Sequence, residues 1–459
     1  MPHVPRRKPT RAALVYACAV VVSATALTAG CSAKDDDRGG AQSVDVLMVD
    51  NPQMLELKRL TGPYFTKRTG VRVHFSTLPE NEVRERTRKD FSRRGGHFDV
   101  ATISNYEAPI YARKKMLQPL DSYINTRGVS DHDDFVLPLQ LSLSGNGGRI
   151  YGQPFYGESS FLMYRKDLLR KYGLSMPARP TWHQVRDLAA KLDGRKKGVS
   201  GICMRGLPGW GEMAAPLTTV VNTFGGTWFD KHWNARLDSP EFSEAARFYV
   251  DLARKYGQPH ATEDGYTGCL KKMRQGESAM WYDSTAAAGS LEADDSHVKG
   301  DIGYVPAPVE KTRHSGWLYT WAFGMRASTP HSAAAWKFIR WATSKQYEKL
   351  VGTKLGWARV PSGKRVSTWK NPQYQKATKP FYKVARDSIR TSDPRHPGVQ
   401  SRPTTGIQYV GIPEFQKLGT RVSEELSAAI DGRQSVRQAL RTSQRLAEKV
   451  GRKYQHRGR

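Results

Sequence analysis

Between residues 43 and 104, short apolar runs alternate with amphipathic segments, and this alternation constrains the fold more strongly than any other sequence feature. The runs VDVLMVD (44–50), VRVHFSTL (71–78) and FDVATIS (98–104) have strand length and are rich in β-branched residues. Helical spacing of apolar residues fills both intervals between them. A β-α-β-α-β order is typical of a mostly parallel sheet with helices on its faces. We therefore predict an α/β fold, with two lobes in a chain of 459 residues because single cores stop growing near ~250–300 residues.

Polar and aromatic residues follow each of these three predicted strands. Asn51 comes after the first strand, Glu80 after the second, and Tyr106 with Glu107 after the third. In open α/β sheets, ligands bind beside the carboxyl ends of the strands. Each residue taken singly is also explained as a helix cap or a turn, but three such groups in register predict one binding rim.

Two later strand-like segments each carry a carboxylate. GRIYGQPFYGESSFLMYRK (148–166) has Glu158 near its centre, and GESAMWYDSTAAAG (276–289) has Asp283 before a turn of small residues. A carboxylate in an apolar stretch is costly to bury unless it is paired or functional. We therefore treat both residues as candidate binding groups.

The rest of the chain is predicted to contain one further strand and several helices. SGWLYTWAFGM (315–325) has the pattern of a strand and carries Trp317 and Trp321. One predicted helix begins at a capping box on Thr181, and a second runs from Ser239 to a stop at Gly257. Further helices are predicted after about residue 370.

RGLPGWGE (205–212) places three glycines, a proline and a tryptophan between an arginine and a glutamate. A phosphate-binding loop of the Walker type requires a lysine that is missing here. Trp210 offers an apolar face and Glu212 offers hydrogen-bond acceptors, a combination that suits a neutral ligand rich in hydroxyl groups. A tight turn whose tryptophan packs in the core explains the same residues.

The N-terminus has the pattern of an export signal. Basic residues precede an apolar run from Ala12 to Leu27, which is shorter than the ~20 residues of a membrane-spanning helix. Ala-Gly-Cys ends the run and resembles a bacterial lipobox. We predict a signal peptide over 1–30, lipidation of Cys31, a flexible tether over 31–42, and anchoring to the outer face of the cell membrane.

The charge and the cysteines narrow the classes of partner. The formal net charge is +29, but acidic residues are scattered among the basic ones, which indicates non-specific surface electrostatics rather than a specific nucleic-acid site. Apart from Cys18 in the signal and Cys31, the chain has Cys203 and Cys269, which are either paired outside the membrane or buried thiols. No metal-binding motif is present in the sequence, and we expect no metal and no cofactor.

Eight segments, in this order, closely resemble the extracellular sugar-binding proteins of ABC importers, especially the sorbitol- and mannitol-type branch. They are FSTLPENEVR, FDVATISNYEAP, PFYGESSFLMYRKDLL, RGLPGWGE, NTFGGTWFD, MWYDSTAAAGS, AWKFIRWATS and GIQYVGIPEFQ. The resemblance covers about residues 44 to 450.

This resemblance implies a two-lobe flytrap fold with the ligand in the cleft between the lobes. The first lobe would comprise 43–155 plus 320–365, and the second 156–319 plus 366–459. The protein would be a non-catalytic monomer that captures a polyol or sugar and presents it to membrane permease subunits. The expected ligand-binding residues are Asn51, Glu80, Tyr106, Glu107, Glu158, Trp210, Glu212, Asn222, Trp228, Asp283, Trp317 and Trp321.

Two other functions fit parts of the same pattern. An exported glycoside hydrolase also uses paired carboxylates and tryptophans, with its two acids ~5–9.5 Å apart. A surface lipoprotein that binds polyanions would account for the high positive charge.

Overall fold

A computed structural model describes residues 42–125 and 131–455. The predicted signal peptide, Cys31 and the tether up to residue 41 lie outside the described residues.

Within the described ranges, eight strands form two separate sheets. In chain order they are β1 (Ser43–Val49), β2 (Arg72–Leu78), β3 (Val100–Ser104), β4 (Gln153–Glu158), β5 (Ser160–Arg165), β6 (Met280–Ser284), β7 (Ile302–Pro306) and β8 (Tyr319–Met325). The first sheet has the order β2-β1-β3-β8-β4, and the second has the order β6-β5-β7. We call each sheet with the helices packed on it a lobe, the first and the second respectively.

The predicted β-α-β-α-β unit is confirmed in the first sheet. β1 pairs in parallel with β2 over its whole length and with β3 at Val46 and Leu47. β8 returns to this sheet and runs antiparallel to both of its neighbours, β3 and β4. The three strands of the second sheet are antiparallel, and isolated parallel bridges add Cys203 to Trp281 of β6 and Ser200 to Ser278.

The chain passes between the lobes more than once. One residue, Ser159, separates the end of β4 in the first sheet from the start of β5 in the second. The chain returns between β7 and β8, over residues 307–318. The helix Tyr382–Thr391 packs again on β5 and β7 of the second sheet. Because the chain crosses repeatedly, several connecting segments lie side by side between the two lobes.

Nineteen α-helices surround these sheets in the described residues. They are α1 (Pro52–Thr61), α2 (Lys67–Thr69), α3 (Glu80–Phe91), α4 (Glu107–Arg113), α5 (Asp121–Ile124), α6 (Leu137–Leu141), α7 (Lys166–Lys171), α8 (Trp182–Leu192), α9 (Ala214–Phe224), α10 (Pro240–Tyr256), α11 (Tyr266–Gln275), α12 (Ala288–Leu291), α13 (Ser332–Ala342), α14 (Lys345–Leu355), α15 (Val366–Lys370), α16 (Pro372–Ala377), α17 (Tyr382–Thr391), α18 (Phe415–Ile430) and α19 (Val436–Gln455).

Side-chain caps explain where several helices begin. The Asn51 side chain accepts a hydrogen bond from the Met54 backbone at the start of α1. The predicted capping box is present on α8, where Thr181 and Gln184 satisfy each other's backbone N–H groups. Ser239 caps α10, whose Pro240 needs no hydrogen-bond partner for its nitrogen. These caps fix the residues at which α1, α8 and α10 begin.

No helix in the described part of the chain combines the length and apolar character that crossing a membrane requires.

Candidate ligand cleft

A pocket lies where β1, β4 and β6 end, between the two lobes. The space between its lining atoms, its open mouth included, is about 370 Å³. The lining residues are Val49, Asp50, Asn51, Glu80, Tyr156, Glu158, Glu212, Tyr266, Thr267, Ser284 and Trp321.

Asn51 is held in a fixed orientation at the end of β1. Its side-chain oxygen caps α1, and its Nδ2 donates to the Tyr156 hydroxyl, 3.1 Å away. β4 carries Tyr156 and Glu158 two residues apart, so both side chains lie on one face of the strand. The first lobe therefore presents an amide, a phenol and a carboxylate to the pocket.

Glu158 is the last residue of β4, next to the crossing between the lobes. It is 7 % exposed, and the Ser284 hydroxyl of β6 donates to its carboxylate. Burial raises the pKa of Glu158 from 4.5 to about 8, against the opposing effects of the Ser284 hydrogen bond and the Arg205 charge. Near neutral pH, Glu158 is therefore largely protonated when the pocket is empty.

Glu212 enters the pocket from the loop RGLPGWGE in the second lobe. It accepts a hydrogen bond from the Tyr266 backbone N–H at 3.0 Å and lies 3.3 Å from Arg205 Nη1. Burial, followed by repulsion from Glu80, raises the pKa of Glu212 to about 7. Two carboxylates from opposite lobes thus repel each other within the pocket.

A buried ion pair lies beneath the second-lobe side of the pocket. Arg205 bonds both oxygens of Asp283 through Nε and Nη2, and its Nη1 donates to the Gly211 carbonyl at 2.9 Å. Asp283 is fully buried and also accepts from Trp281 Nε1. The pair holds the RGLPGWGE loop against β6.

A second buried arginine lies on the first-lobe side. Arg84 of α3 bonds Glu80 and contacts Glu107 at 3.0 Å. Its guanidinium lies 4.0 Å from the ring centroid of Trp210 and 4.8 Å from that of Trp321. Arg84 therefore connects the first-lobe carboxylates to a tryptophan from the second lobe.

Direct contacts join the RGLPGWGE loop to the first lobe. Asn81 Nδ2 donates to the Pro208 carbonyl at 2.9 Å, and the Trp210 ring packs on Tyr106 with centroids 4.3 Å apart. Gly209 has φ +153°, and a Cβ there would lie 2.4 Å from Asn81 Oδ1. At Gly211 a Cβ would meet Glu80. Glycine is required because the loop approaches the opposite lobe this closely.

The structure brings five of the predicted residues to the pocket surface. They are Asn51, Glu80, Glu158, Glu212 and Trp321. A further group lies behind that surface in contact with the lining residues or with the two arginines: Tyr106, Glu107, Trp210, Asp283 and Trp317.

Asn222 and Trp228 do not line the pocket. Asn222 Nδ2 donates to the Ile407 carbonyl, and its oxygen accepts from Arg402. Trp228 is 1 % exposed, donates to Thr218 and packs on Phe415. Both side chains are occupied by contacts within the second lobe, which are the contacts expected of core residues.

Seven further residues at the site were not predicted as binding groups from the sequence: Val49, Asp50, Arg84, Tyr156, Tyr266, Thr267 and Ser284. Arg84 lies one helical turn after Glu80, so i, i+4 spacing could have identified it. Strand alternation could have placed Tyr156 with Glu158. Tyr266 and Thr267 carry no local signal, because they reach the pocket only through the tertiary position of α11.

A disulfide between Cys203 and Cys269 links these parts of the second lobe. Cys203 lies two residues before Arg205, and Cys269 lies in α11 just after the pocket residues Tyr266 and Thr267. Both cysteines are fully buried. The bond therefore fixes α11 to the start of the RGLPGWGE loop.

The family of this chain follows from its similarity to known proteins. The model of the family described as bacterial extracellular solute-binding protein matches residues 50–349. The chain belongs to this family. Its fold is accordingly the two-lobe fold of these proteins, with the pocket in the cleft between the lobes.

Similar proteins have named ligands. The chain is 38 % identical over 421 residues to the mannitol-binding protein of Pseudomonas aeruginosa, covering 91 % of this chain and 95 % of the relative. It is 42 % identical to an ABC transporter solute-binding protein from Agrobacterium vitis solved with bound D-mannitol, with a TM-score of 0.87 and coverage of 90 % and 99 %. A protein from Agrobacterium radiobacter in complex with ribitol has the same fold at 23 % identity, with a TM-score of 0.79 and coverage of 89 % and 98 %.

Proposed function

We propose that this solute-binding protein captures a linear polyol of the mannitol type and delivers it to the membrane permease of an ABC importer. The mannitol-binding relative and the mannitol-bound structure support this proposal, because both are similar over nine-tenths of the chain. The observation that carries it is the pocket itself, whose hydrogen-bonding groups come from both lobes.

The lining suits a ligand with many hydroxyl groups. Glu80, Glu158 and Glu212 supply carboxyl oxygens, and ionised carboxylates form strong, charge-assisted hydrogen bonds with hydroxyl donors. Asn51 adds an amide, and Trp321 gives an apolar face for C–H groups. We propose these five residues as direct contacts, and Tyr106, Glu107, Trp210, Asp283 and Trp317 as residues that position them.

Closure of the lobes is the proposed mechanism of capture. A ligand shifts a conformational equilibrium only by its differential affinity for the two states. A polyol held by Glu80 of one lobe and Glu212 of the other makes its full set of contacts only when the lobes are closed. The ligand's hydroxyl donors also offset the repulsion between these two carboxylates.

The remaining sequence predictions complete the proposal. We propose 43–155 plus 320–365 as the first lobe and 156–319 plus 366–459 as the second, except that β4 up to Glu158 and β8 from Tyr319 belong to the first sheet and so to the first lobe. The protein is an exported monomer anchored to the outer face of the cell membrane through Cys31. We propose that it binds its ligand without chemical change, and the names of the family and of the Pseudomonas aeruginosa relative, which describe binding, support this.

A thermal-shift screen tests the function. Purified protein is heated with D-mannitol, D-sorbitol, D-arabitol or maltose, and each ligand is recovered and chromatographed. A polyol that binds the folded form at about 100 times its Kd adds ~2.7 kcal/mol to the free energy of unfolding. We expect hexitols to raise Tm and to be recovered unchanged. No shift with any polyol, or release of a smaller product, would contradict the proposal.

A further inference from the structure

The pocket and the whole chain have opposite charge. The chain carries a formal net charge of +29, yet every charged residue that lines the pocket is acidic: Asp50, Glu80, Glu158 and Glu212. A basic protein would be expected to attract anions. The pocket lining therefore determines a selectivity that the overall charge does not predict.

The buried arginine of the second lobe is not available to an anionic ligand. Three of its nitrogens, Nε, Nη1 and Nη2, bond Asp283, the Gly211 carbonyl and Glu212. Arg205 does not line the pocket. A ligand anion would have to break a fully buried bidentate pair to reach it, and breaking such a pair leaves Asp283 as an uncompensated buried charge.

The arginine of the first lobe is engaged in the same way. Arg84 Nε and Nη2 donate to Glu80, Nη2 also donates to the Tyr319 hydroxyl, and Nη1 contacts Glu107. The faces of its guanidinium are covered by Trp210 and Trp321. Around the pocket, the two arginines thus face five carboxyl groups, those of Glu80, Glu107, Glu158, Glu212 and Asp283, of which Glu158 is largely protonated near neutral pH.

We propose that the pocket selects ligands by charge: it accepts polyols that are neutral or carry a terminal ammonium group, and it rejects polyols that carry a phosphate or a carboxylate. This inference rests on the proposed function, because it assigns the class of ligand to the same pocket. An ammonium has three N–H donors and no acceptor, which matches a lining of carboxylates from both lobes.

Electrostatics gives the direction of the effect. An ammonium placed between Glu80 and Glu212 turns their repulsion into two attractions, whereas a phosphate adds a third like charge in a buried site. No group of three metal-ligating side chains is arranged to hold a metal ion in the described ranges. The cationic ligand that we propose is an organic ammonium that extends along the cleft.

Proton release is a second consequence. Glu158 faces Ser284 and Asp283 of β6, Arg205 of the loop, Glu80 of α3 and Tyr266 of α11. Burial raises the pKa of Glu158 to about 8 and that of Glu212 to about 7. A bound ammonium favours the ionised carboxylates and lowers both pKa values, so it displaces protons near neutral pH. Mannitol, which is uncharged, displaces fewer.

Isothermal titration calorimetry tests the inference with four matched ligands: D-mannitol, 1-amino-1-deoxy-D-mannitol, D-mannitol 1-phosphate and D-mannonate. We expect the amine to bind within about tenfold of mannitol or more tightly, and both anions to bind more than about tenfold more weakly than mannitol. An amine weaker by more than that factor, or either anion within it, overturns charge selection. Titrations in two buffers of different ionisation enthalpy should show more protons released by the amine than by mannitol.

The failures of the two proposals are distinguishable. If mannitol binds and the charge order fails, charge selection alone is wrong. If mannitol does not bind but the amine binds and the anions do not, the neutral-polyol function is wrong and charge selection stands. Absence of binding by all four ligands, or binding of the anions alone, overturns both.

Variants locate the effect in the pocket. In Glu212→Gln, and independently in Glu80→Gln, the affinity for the amine relative to mannitol should fall by about tenfold, because each change removes a lining charge and keeps its shape. Glu85→Gln is the matched control, since Glu85 lies on α3 with Glu80 but is exposed and pairs with Arg88. An equal fall in Glu85→Gln would show that the pocket lining is not the cause.

Discussion

The two buried arginines beside the cleft have similar surroundings, but they differ in where their partners come from. Arg205 bonds Asp283, Glu212 and the Gly211 carbonyl, which all belong to the second lobe. Arg84 bonds Glu80 and Glu107 of the first lobe, but one face of its guanidinium is covered by Trp210 of the second. One cluster therefore draws all its partners from its own lobe, and the other includes a residue of each lobe.

This difference assigns different tasks to the two sides of the cleft. We propose that the Arg205 cluster, which the disulfide to α11 reinforces, is a rigid floor present in both the open and the closed state. We propose that the Arg84 cluster is a clamp, whose contact between Arg84 and Trp210 forms when the lobes close. Substitutions in the floor should therefore mainly lower the free energy of unfolding, and substitutions in the clamp should mainly lower the affinity for the ligand.

The largest expected effect is on the floor. Asp283→Ala leaves Arg205 buried without its bidentate partner, and loss of one member of a buried pair costs ~3–5 kcal/mol. Urea unfolding of the ligand-free protein measures the loss. Asp187→Ala is the control, since its pair with Arg186 is exposed and contributes ~0–1 kcal/mol. Equal losses of unfolding free energy in the two variants would contradict a stabilising role for the Arg205–Asp283 pair.

Removal of the disulfide tests the same region by a different bond. The double change Cys203→Ala and Cys269→Ala should lower the free energy of unfolding by ~2–4 kcal/mol. The same urea titration, repeated with a reductant, provides the check. A wild-type protein whose stability does not respond to complete reduction would show that the bond contributes nothing to the floor.

The pH dependence of the ligand-free protein is the third effect. Because burial raises the pKa of Glu158 to about 8, the folded state binds this proton more tightly than the unfolded state does. Its contribution to stability is complete below the unfolded pKa and is lost as pH rises through about 8. Glu158→Gln should remove at least ~1 kcal/mol of this loss. Unfolding at pH 5, 6.5 and 8 measures it, and an unchanged slope would contradict the prediction.

The smallest expected effect is on the clamp. Trp210→Phe weakens the contact with the Arg84 guanidinium and should reduce mannitol affinity by ~0.5–1.5 kcal/mol. Trp228→Phe is matched to it, because Trp228 is buried in the second lobe and packs on Phe242 and Phe415. Calorimetric titration should show the affinity loss in Trp210→Phe only. An equal loss of mannitol affinity in Trp228→Phe would mean that Trp210 contributes no more to binding than a core tryptophan does.

Sequence patterns predict the first sheet and its rim well, because their signals are local. The apolar runs that became β1 to β3 and the capping box at Thr181 depend on residues a few positions apart. Asn51 and Glu80 follow strands directly, so parallel pairing alone brings them to one edge of the sheet.

The rest of the site depends on contacts between distant segments. In the sequence, Trp228 resembles a pocket tryptophan, because it follows a glycine-rich turn and lies beside an aromatic residue. In the structure, however, α10 and α18 cover it. Tyr266 and Thr267 reach the pocket because α11 packs beside β6 and is bonded to Cys203. Neither the burial of Trp228 nor the position of Tyr266 and Thr267 at the pocket can be predicted from a short segment of the sequence.

A crystal structure of the complex with D-mannitol tests the central claim most directly. We predict density for one mannitol molecule that contacts Glu80 and Trp321 from the first lobe, Glu212 from the second, and Glu158 at the crossing, with the Arg205–Asp283 pair intact beneath it. Mannitol bound elsewhere, or held by residues of one lobe alone, would contradict capture between a rigid floor and a closing clamp.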